Sequence, residues 1–211
     1  MNSDQFIRDN TELLAPPLVP EIKLHLASEV VPLWRKTEEE LLQIGVPPPY
    51  WAFAWAGGQA LARYVLDHPE IAKDKRVLDF GAGSGLVSLA AAKAGAHHVI
   101  AADIDPFAVA AISRNAKANA LTVEAVDKDM IGSRETFDLI LVGDMCYERP
   151  LAERLMAWLK EMQADILLGD PGRSYFPKTG LIRLATYNVP TTRELEDREI
   201  RETSVWRLDR D

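Results

Sequence analysis

The sequence predicts an α/β protein in which helices cover both faces of a mainly parallel sheet. Between residues 76 and 170, short apolar segments typical of buried strands alternate with longer segments of helical periodicity. After residue 180, two strand-like segments follow each other without a helix between them, which indicates a terminal hairpin that adds one antiparallel strand. A length of 211 residues suits one such domain with a short extension.

The first fifty residues differ in composition from the rest of the chain. They contain seven of the 13 prolines: Pro16, Pro17, Pro20, Pro32, Pro47, Pro48 and Pro49. Because residues before proline avoid the helical region, we expect short helices joined by extended links rather than a separate domain. The predicted organisation is an N-terminal extension over 1–50, packed on the core, followed by the main domain over 51–211. The mixed pattern of 21–34 leaves the structure of that segment open.

The main domain is predicted to contain strands over 76–80, 98–102, 122–126, 137–143, 165–170, 181–189 and 198–208, and helices over 57–69, 86–95, 106–119 and 149–162. Asp105 and Pro106 supply an N-cap and a first-turn proline to the third of these helices. The fourth helix carries a buried apolar stripe, formed by Leu151, Leu155, Leu159 and Met162. In the last strand, polar and apolar residues alternate only weakly, and we expect this strand at an edge of the sheet.

Composition and charge exclude several classes of protein. No apolar run approaches the roughly 18 residues that span a bilayer, and the N-terminus has neither a secretory signal nor a presequence pattern. The single cysteine, Cys146, excludes an internal disulfide, and the four histidines show no metal-ligand spacing with it. The net charge of −8 argues against nucleic acid and suits a basic partner. We therefore expect no membrane, nucleic-acid or metal partner. The lack of a presequence indicates a protein of a bacterial type of cytoplasm or a mature, processed chain, and we also expect a monomer.

A glycine-rich loop follows the first core strand. Gly81, Gly83 and Gly85 let the backbone approach a ligand closely, and Asp103 ends the next strand, where a carboxylate can accept both hydroxyls of a ribose. Asp79, one residue before the loop, suits a cofactor with a cationic amino-acid end and would repel a pyrophosphate. S-adenosylmethionine is such a cofactor.

Two other interpretations of this loop stay open. One is a glycine turn without a ligand. The other is a nicotinamide site, but the third glycine of that fingerprint is replaced by Leu86.

The segment "LILVGDMCYE", residues 139–148, ends a buried strand with an acid and a nearby tyrosine. Taken alone, the segment is explained equally well as the end of a strand, with a tyrosine nearby that has no function. Ligands of α/β sheets bind outside the carboxyl ends of the strands, so Asp144 is also placed to begin a site.

Together these motifs mark a resemblance to a known family. The segment "VLDFGAGSG…AADIDP" resembles the seven-β-strand S-adenosylmethionine-dependent methyltransferases, and "GDMCYE" is similar to the Asp-x-x-Tyr motif of the family-16 protein lysine methyltransferases. Within that group, "YWAFAWAGGQALARYVLDHP", "LVGDMCYE" and "LLGDPGR" resemble the electron transfer flavoprotein β-subunit lysine methyltransferases. The resemblance covers about residues 18–208. It implies a Rossmann-like sheet of order 3-2-1-4-5-7-6 with strand 7 antiparallel, and a lysine of the flavoprotein β-subunit as substrate.

The resemblance also implies a set of site residues. The cofactor-binding positions are Trp55, Asp79, Gly81, Ala82, Gly83, Asp103, Asp129 and Gly143, with Met130 beside Asp129 at the adenine. Other family members carry a tryptophan near Asp129, and this chain does not. The alternation of Trp51, Phe53 and Trp55 is also typical of a buried strand, so Trp51 is expected either in the core or in the wall of a substrate groove.

The expected catalytic and substrate-binding residues are Asp144 and Tyr147. An amine must be neutral to attack a methyl group, and Asp144 favours the charged form, so we assign Asp144 to capturing and aiming the lysine rather than to strong base catalysis. Tyr147 is expected to narrow the channel and to face the developing cation. Cys146 is expected to pack rather than react.

The segment "GDPGR" allows two interpretations. Asp170 either helps to bind the basic surface of the substrate, with Arg173 paired to a nearby acid, or both belong to an ordinary Pro-Gly turn. Two other functions also stay open. A small-molecule methyltransferase would need a lid, which residues 1–50 could form, and a nicotinamide-dependent or non-catalytic protein would use the same glycine loop.

Overall fold

The computed structural model describes residues 3–28, 48–191 and 199–210. Residues 29–47 of the predicted extension lie outside these ranges, as does the first residue of the last predicted strand. The described N-terminal part forms a helix, α1 (Ser3–Asn10), and two short strands, β1 (Glu12–Leu14) and β2 (Leu24–Leu26), which pair antiparallel. The sequence did not predict this pair, because three residues are too few to show a period.

The main domain alternates helices and strands, as predicted. Its helices are α2 (Ala56–Asp67), α3 (Leu86–Lys93), α4 (Pro106–Ala118) and α5 (Arg149–Glu161). Its strands are β3 (Arg76–Phe80), β4 (His98–Asp103), β5 (Glu124–Asp127), β6 (Leu139–Gly143), β7 (Asp165–Asp170), β8 (Leu181–Pro190) and β9 (Ile200–Leu208). The predicted N-cap is confirmed, since the Asp105 carboxylate accepts from the N–H of Phe107 at 2.8 Å.

The seven long strands form one sheet in the order β5-β4-β3-β6-β7-β9-β8. The first five are parallel, and β9 pairs antiparallel with β7 on one side and with β8 on the other. The predicted fold class and strand order are confirmed. The predicted edge position of the last strand is wrong, because the hairpin folds back and leaves β8 at the edge.

Apolar residues fill both faces of the sheet. On one face, α2 and α3 pack Leu61 and Leu89 against the strands, and on the other α5 contributes Leu155, Trp158 and Leu159. A third cluster joins the N-terminal segments to the first turns of α4 through Phe6, Ile7, Trp51, Phe107 and Ala111. Trp51 and its neighbours do not form a strand, because Tyr50–Ala52 is a single 3₁₀ turn.

The described residues were compared with the requirements of a membrane span and of a metal site. No helix among them is both long and apolar enough to cross a membrane. In the same ranges, no group of three or more His, Cys, Asp or Glu side chains is placed to hold a metal ion.

Candidate active site

The predicted site residues lie at the carboxyl ends of the parallel strands. The chain order reverses at β3, which has β4 on one side and β6 on the other. Such a switch point opens a crevice in which α/β proteins bind ligands. Asp103 ends β4, Asp170 ends β7, and Asp144 directly follows β6.

The glycine loop takes the conformation that its glycines permit. Gly81, Gly83 and Gly85 all have positive φ, at 65°, 52° and 79°. A side chain at Gly81 would meet only the flexible side chain of Met145, so glycine is favoured there chiefly by its positive φ.

Asp103 joins this loop to β4. Its Oδ2 accepts from the N–H of Gly83 at 2.9 Å, and its Oδ1 accepts from the N–H of Asp105 at 3.0 Å. Burial raises the pKa of Asp103, while these backbone donors oppose the shift. The carboxylate is thus fixed beside the loop, where the ribose of a nucleoside cofactor is expected.

Asp79 lies beneath the same loop and is 1% exposed. Its Oδ2 accepts from the N–H of Ser88 at 2.8 Å and also from the Ser88 hydroxyl. Burial raises the pKa of Asp79 to about 7, against the effect of Ser88. A buried carboxyl that is only partly ionised at neutral pH gains stability from a cationic group, such as the amino-acid end of the expected cofactor.

A cavity beside the loop brings most of the predicted cofactor residues together. Six of them line it: Trp55, Asp79, Gly81, Ala82, Gly83 and Gly143. Gly58 and Ser84 also line it and were not predicted, although Gly58 lies in the quoted "AWAGG" segment. Glycine suits position 143, since a Cβ there would lie 3.1 Å from the Gly58 Cα and would require a small shift of that backbone.

Asp144 takes a left-handed conformation, with φ of 58°, immediately after β6. It is 8% exposed. Its Oδ2 accepts from the N–H of Gly57 near the start of α2. Its Oδ1 accepts from Nε of Arg173 at 2.8 Å and lies 2.7 Å from Nη2 of the same guanidinium. The expected pairing of Arg173 with a nearby acid is therefore confirmed, and the acid is Asp144.

Aromatic rings extend from the cavity to the surface beside Asp144. Ring centres lie 5.9 Å apart for Tyr147 and Tyr50, and 6.0 Å apart for Tyr50 and Trp55. The Trp55 Nε1 donates to the Tyr50 carbonyl at 2.9 Å, and the Arg173 guanidinium lies 5.8 Å from the Trp55 ring centre. Burial raises the pKa of Tyr147 to about 12, so its phenol is protonated at neutral pH. These rings form one wall that carries a polar hydroxyl at its exposed end.

Asp170, expected to contact the substrate, is buried at the end of β7. It is 3% exposed, and its Oδ1 accepts from the N–H groups of Gly172 and Arg173, both at 2.7 Å. Burial, with a further contribution from Asp144, raises its pKa to about 7. Asp170 Oδ1 thus fixes its own Pro-Gly turn, whereas Oδ2 is buried and has no hydrogen-bond partner among the described residues. The expected contact with the substrate stays a prediction.

Two other predicted positions do not line the cavity. Trp51 is 1% exposed and stacks on Phe107, with ring centres 6.3 Å apart, so its position supports core packing and not a groove wall. The Asp129 side chain is exposed, accepts from the N–H of Ile131 at 2.9 Å and lies 3.3 Å from Arg154. Asp129 is not among the residues that line the cavity.

The packing expectation for Cys146 agrees with its surroundings. The side chain is 1% exposed, and burial raises the pKa of its thiol to about 12. Such a thiol is not a nucleophile at neutral pH.

A second hollow, of about 440 Å³, opens at the amino-terminal edge of the sheet. Its charged side chains have structural partners, since Lys75 lies 2.9 Å from Asp165 and Arg210 donates to the carbonyl of Met162 at 2.6 Å. The glycine loop, the fixed acids and the aromatic wall are all at the opposite edge. The carboxyl edge is therefore the candidate active site.

Known proteins resemble the chain over nearly its whole length. It is 40% identical to the electron transfer flavoprotein beta subunit lysine methyltransferase of Danio rerio, over 96% of this chain and 81% of that protein. It is 38% identical to the protein of the same name from Xenopus laevis, over 95% of this chain and 85% of that one. A family model described as ribosomal protein L11 methyltransferase matches residues 59–148.

Solved structures agree with the fold. The magnesium protoporphyrin IX methyltransferase of Synechocystis, solved with bound S-adenosylmethionine, covers 72% of this chain and 80% of its own, with a TM-score of 0.56 and 17% identity. At that identity the likeness shows a shared fold alone. The two relatives show more, because they exceed a third identity over almost the entire chain. The chain therefore belongs to the family of electron transfer flavoprotein beta subunit lysine methyltransferases.

Proposed function

We propose that this protein transfers a methyl group from S-adenosylmethionine to a lysine of the electron transfer flavoprotein β-subunit. The observation that carries the proposal is the placement of Asp144 and Tyr147. Both follow β6, at the switch point of the sheet, beside the cavity that Gly81 and Gly83 line. Relatives that are 40% and 38% identical to this chain carry the name of that activity.

The residues around the cavity fit S-adenosylmethionine. Asp103 suits the ribose hydroxyls, Asp79 suits the cationic amino-acid end, and the glycine backbone leaves room for close approach. Trp55 and Gly143 complete the lining. When bound, the cofactor supplies an electrophilic methyl group on a sulfonium. We assign no adenine contact to Asp129, whose exposed carboxylate binds its own loop and Arg154.

Asp144 and Tyr147 are proposed to hold the substrate lysine as a neutral amine. A free lysine has a pKa of about 10.4, and a nearby cationic sulfonium favours loss of the proton. Asp144 accepts hydrogen bonds from the amine and so directs its lone pair, while the Tyr147 ring narrows the approach and faces developing positive charge. Holding the two reactants in line supplies a large part of the rate of such a displacement.

A protein substrate suits the exposed side of the site. Tyr50 and Tyr147 are 49% and 41% exposed, so the aromatic wall ends at the surface. The chain carries a net charge of −8, which favours approach of a lysine-bearing surface. Methylation keeps the charge of lysine but adds bulk and removes donors, so it would adjust how the flavoprotein docks with its partners.

The test is transfer of labelled methyl groups to purified flavoprotein. We expect label on the β-subunit, and loss of that label when its lysines are replaced by arginine. Transfer of label to another protein in a cell extract, with the flavoprotein unlabelled, would keep the methyltransferase and overturn this substrate.

A ribosomal protein is the second candidate substrate. The match of residues 59–148 to the ribosomal protein L11 methyltransferase model favours it, although that match covers less than half of the chain. A competition assay decides between the two substrates. Purified ribosomal protein L11 and the flavoprotein are incubated together with the enzyme and labelled cofactor, and the label on each protein is measured.

We further propose that the protein acts as a monomer in the cytoplasm and binds neither nucleic acid nor membranes. The acidic net charge supports the absence of nucleic acid. Light scattering tests the monomer, and cell fractionation tests the compartment.

A further inference from the structure

The proposed chemistry places two opposite demands on Asp144. Its carboxylate is suited to aim a substrate amine, yet a carboxylate within a few ångströms also favours the protonated form of that amine. A protonated lysine has no lone pair and cannot attack a methyl group. The site therefore has to compensate the charge of Asp144 while keeping its oxygens in place.

Arg173 meets this requirement. Its Nε and Nη2 lie 2.8 and 2.7 Å from Oδ1 of Asp144. The two side chains are 19% and 8% exposed, so solvent and salt screen their interaction weakly. A guanidinium stays charged at every pH at which the enzyme can be assayed. Together the two groups carry no net charge.

The position of Arg173 is fixed from two further directions. Asp170 accepts from the N–H groups of Gly172 and Arg173, which holds the backbone of the loop. The guanidinium carbon also lies 5.8 Å from the centre of the Trp55 ring, in the wall of the cofactor cavity. Arg173 thus contacts both the acid proposed to aim the lysine and the ring beside the methyl donor.

The other ionisable groups around the pair contribute less charge. Burial raises the pKa of Asp170 to about 7, so it carries only part of a charge at neutral pH. Cys146 and Tyr147, both with a pKa raised to about 12, are neutral there. The groups that face Tyr147 from neighbouring segments are Tyr50, Asp103 and Glu148.

We propose that Arg173 is a positioning residue whose charge compensates that of Asp144, so that the substrate lysine reacts as a neutral amine held by a hydrogen bond. This proposal rests on the proposed lysine methyl transfer and assigns a task to a residue outside the Asp-x-x-Tyr motif. With Arg173 in place, the charge of Asp144 is compensated, so the nearby sulfonium lowers the pKa of the bound amine. Without Arg173, Asp144 acts as an uncompensated carboxylate and keeps the lysine protonated.

The test is the pH dependence of kcat, which reports ionisations in the enzyme–substrate complex. Removing a charge in contact with the site shifts a pKa by about one unit or more. In Arg173→Gln we therefore expect the rising limb of the kcat profile to shift to higher pH, by at least about one pH unit. Activity at neutral pH then falls about tenfold or more and recovers under alkaline conditions.

Matched variants separate charge from shape. Arg173→Lys keeps the charge, so its limb stays at the wild-type position even if its maximal rate falls. Asp144→Asn removes the opposing charge, so the limb of its residual activity moves to lower pH. Arg183→Gln, on β8 beside Trp206, is a surface control with an unchanged profile. Binding of S-adenosylhomocysteine verifies that each variant is folded, and if Arg173→Gln fails to fold, the other two variants carry the test.

Two outcomes overturn the proposal. If Arg173→Gln lowers kcat by the same factor at every pH, Arg173 is a structural partner of Asp144 alone. If it raises activity at neutral pH, Arg173 blocks the access of lysine to Asp144. A wild-type enzyme that does not label the flavoprotein refutes the proposed function instead, so the two failures are distinguishable.

Discussion

Replacing Gly57 by alanine should destabilise the protein and displace Asp144, whereas the same change at Gly58 should do neither. A Cβ at Gly57 would lie 2.6 Å from Asp144 Oδ2 and 2.8 Å from the carbonyl carbon of Gly169. At Gly58 the nearest atom is Cγ2 of Val87, at 4.0 Å. The two glycines are neighbours in the first turn of α2, so they share one helix and differ in the space around them.

The magnitude at Gly57 follows from three contributions. Exchanging glycine for alanine in a helix stabilises by about 0.5–1 kcal/mol. Overlap with packed backbone costs about 1–3 kcal/mol. Loss of the hydrogen bond from the Gly57 N–H to the Asp144 carboxylate costs about 1.5–3 kcal/mol. The free energy of unfolding should therefore fall by about 2–5 kcal/mol, which lowers Tm by roughly 4–20 °C in a chain of this size.

Thermal and denaturant unfolding, followed by circular dichroism, measure both variants beside the wild type. Labelled methyl transfer reports on the position of Asp144, and we expect it to be largely lost in Gly57→Ala. For Gly58→Ala we expect a Tm equal to that of the wild type or slightly higher. If Gly57→Ala unfolds at or above the wild-type Tm, the close approach of α2, β7 and Asp144 is not as described, and the reasoning fails.

Three further predictions concern the acids of the site. Asp103→Ala should weaken S-adenosylhomocysteine binding, because the carboxylate beside Gly83 is lost, and calorimetry that finds unchanged affinity would contradict its assignment to the ribose. Asp144→Asn should greatly reduce methyl transfer while cofactor affinity persists, and near-normal turnover would make Asp144 a strand terminator only. Asp79→Asn should raise Tm more at pH 8 than at pH 5. The folded protein keeps Asp79 protonated up to about pH 7, whereas the unfolded chain ionises near 3.8, so this carboxyl lowers stability progressively as pH rises through that window. An equal change in Tm at both pH values would show that Asp79 ionises freely in the fold.

Strong local patterns predicted the core of the fold. The bounds of β3 and β7 agree with the prediction, since each is a short segment with apolar residues at its centre and is followed directly by a glycine or a proline. β5 begins two residues later than predicted, at Glu124. Its pairing with β4 starts at that residue, opposite Ile100. The alternating aromatic residues before α2 resemble a strand in sequence, but they pack around a single 3₁₀ turn, and no described strand pairs with them.

The site was predictable where a single segment carries the information. The positions of Asp103 and the glycine loop follow from one strand–loop–helix–strand unit, and they meet as expected. The contact of Asp144 with Gly57 joins segments distant in sequence, so no local pattern could reveal it. The pairing of Arg173 with an acid was expected, but the sequence did not identify Asp144 as that acid. The burial of Asp170 was missed for the same reason, since an acid in a Pro-Gly turn ordinarily faces solvent.

The insertion of β9 between β7 and β8 has a consequence for synthesis of the protein. β9 is the last described strand in sequence, yet it supplies the neighbour of Leu167 and Leu168 in the middle of the sheet. A nascent chain folds from its N-terminal end, so β7 leaves the ribosome well before its partner. Until residues 200–208 arrive, β7 presents an unpaired apolar edge that can pair with other chains. The loop bearing Arg173 continues from that same strand, so a chain arrested early should aggregate rather than work as a partial enzyme.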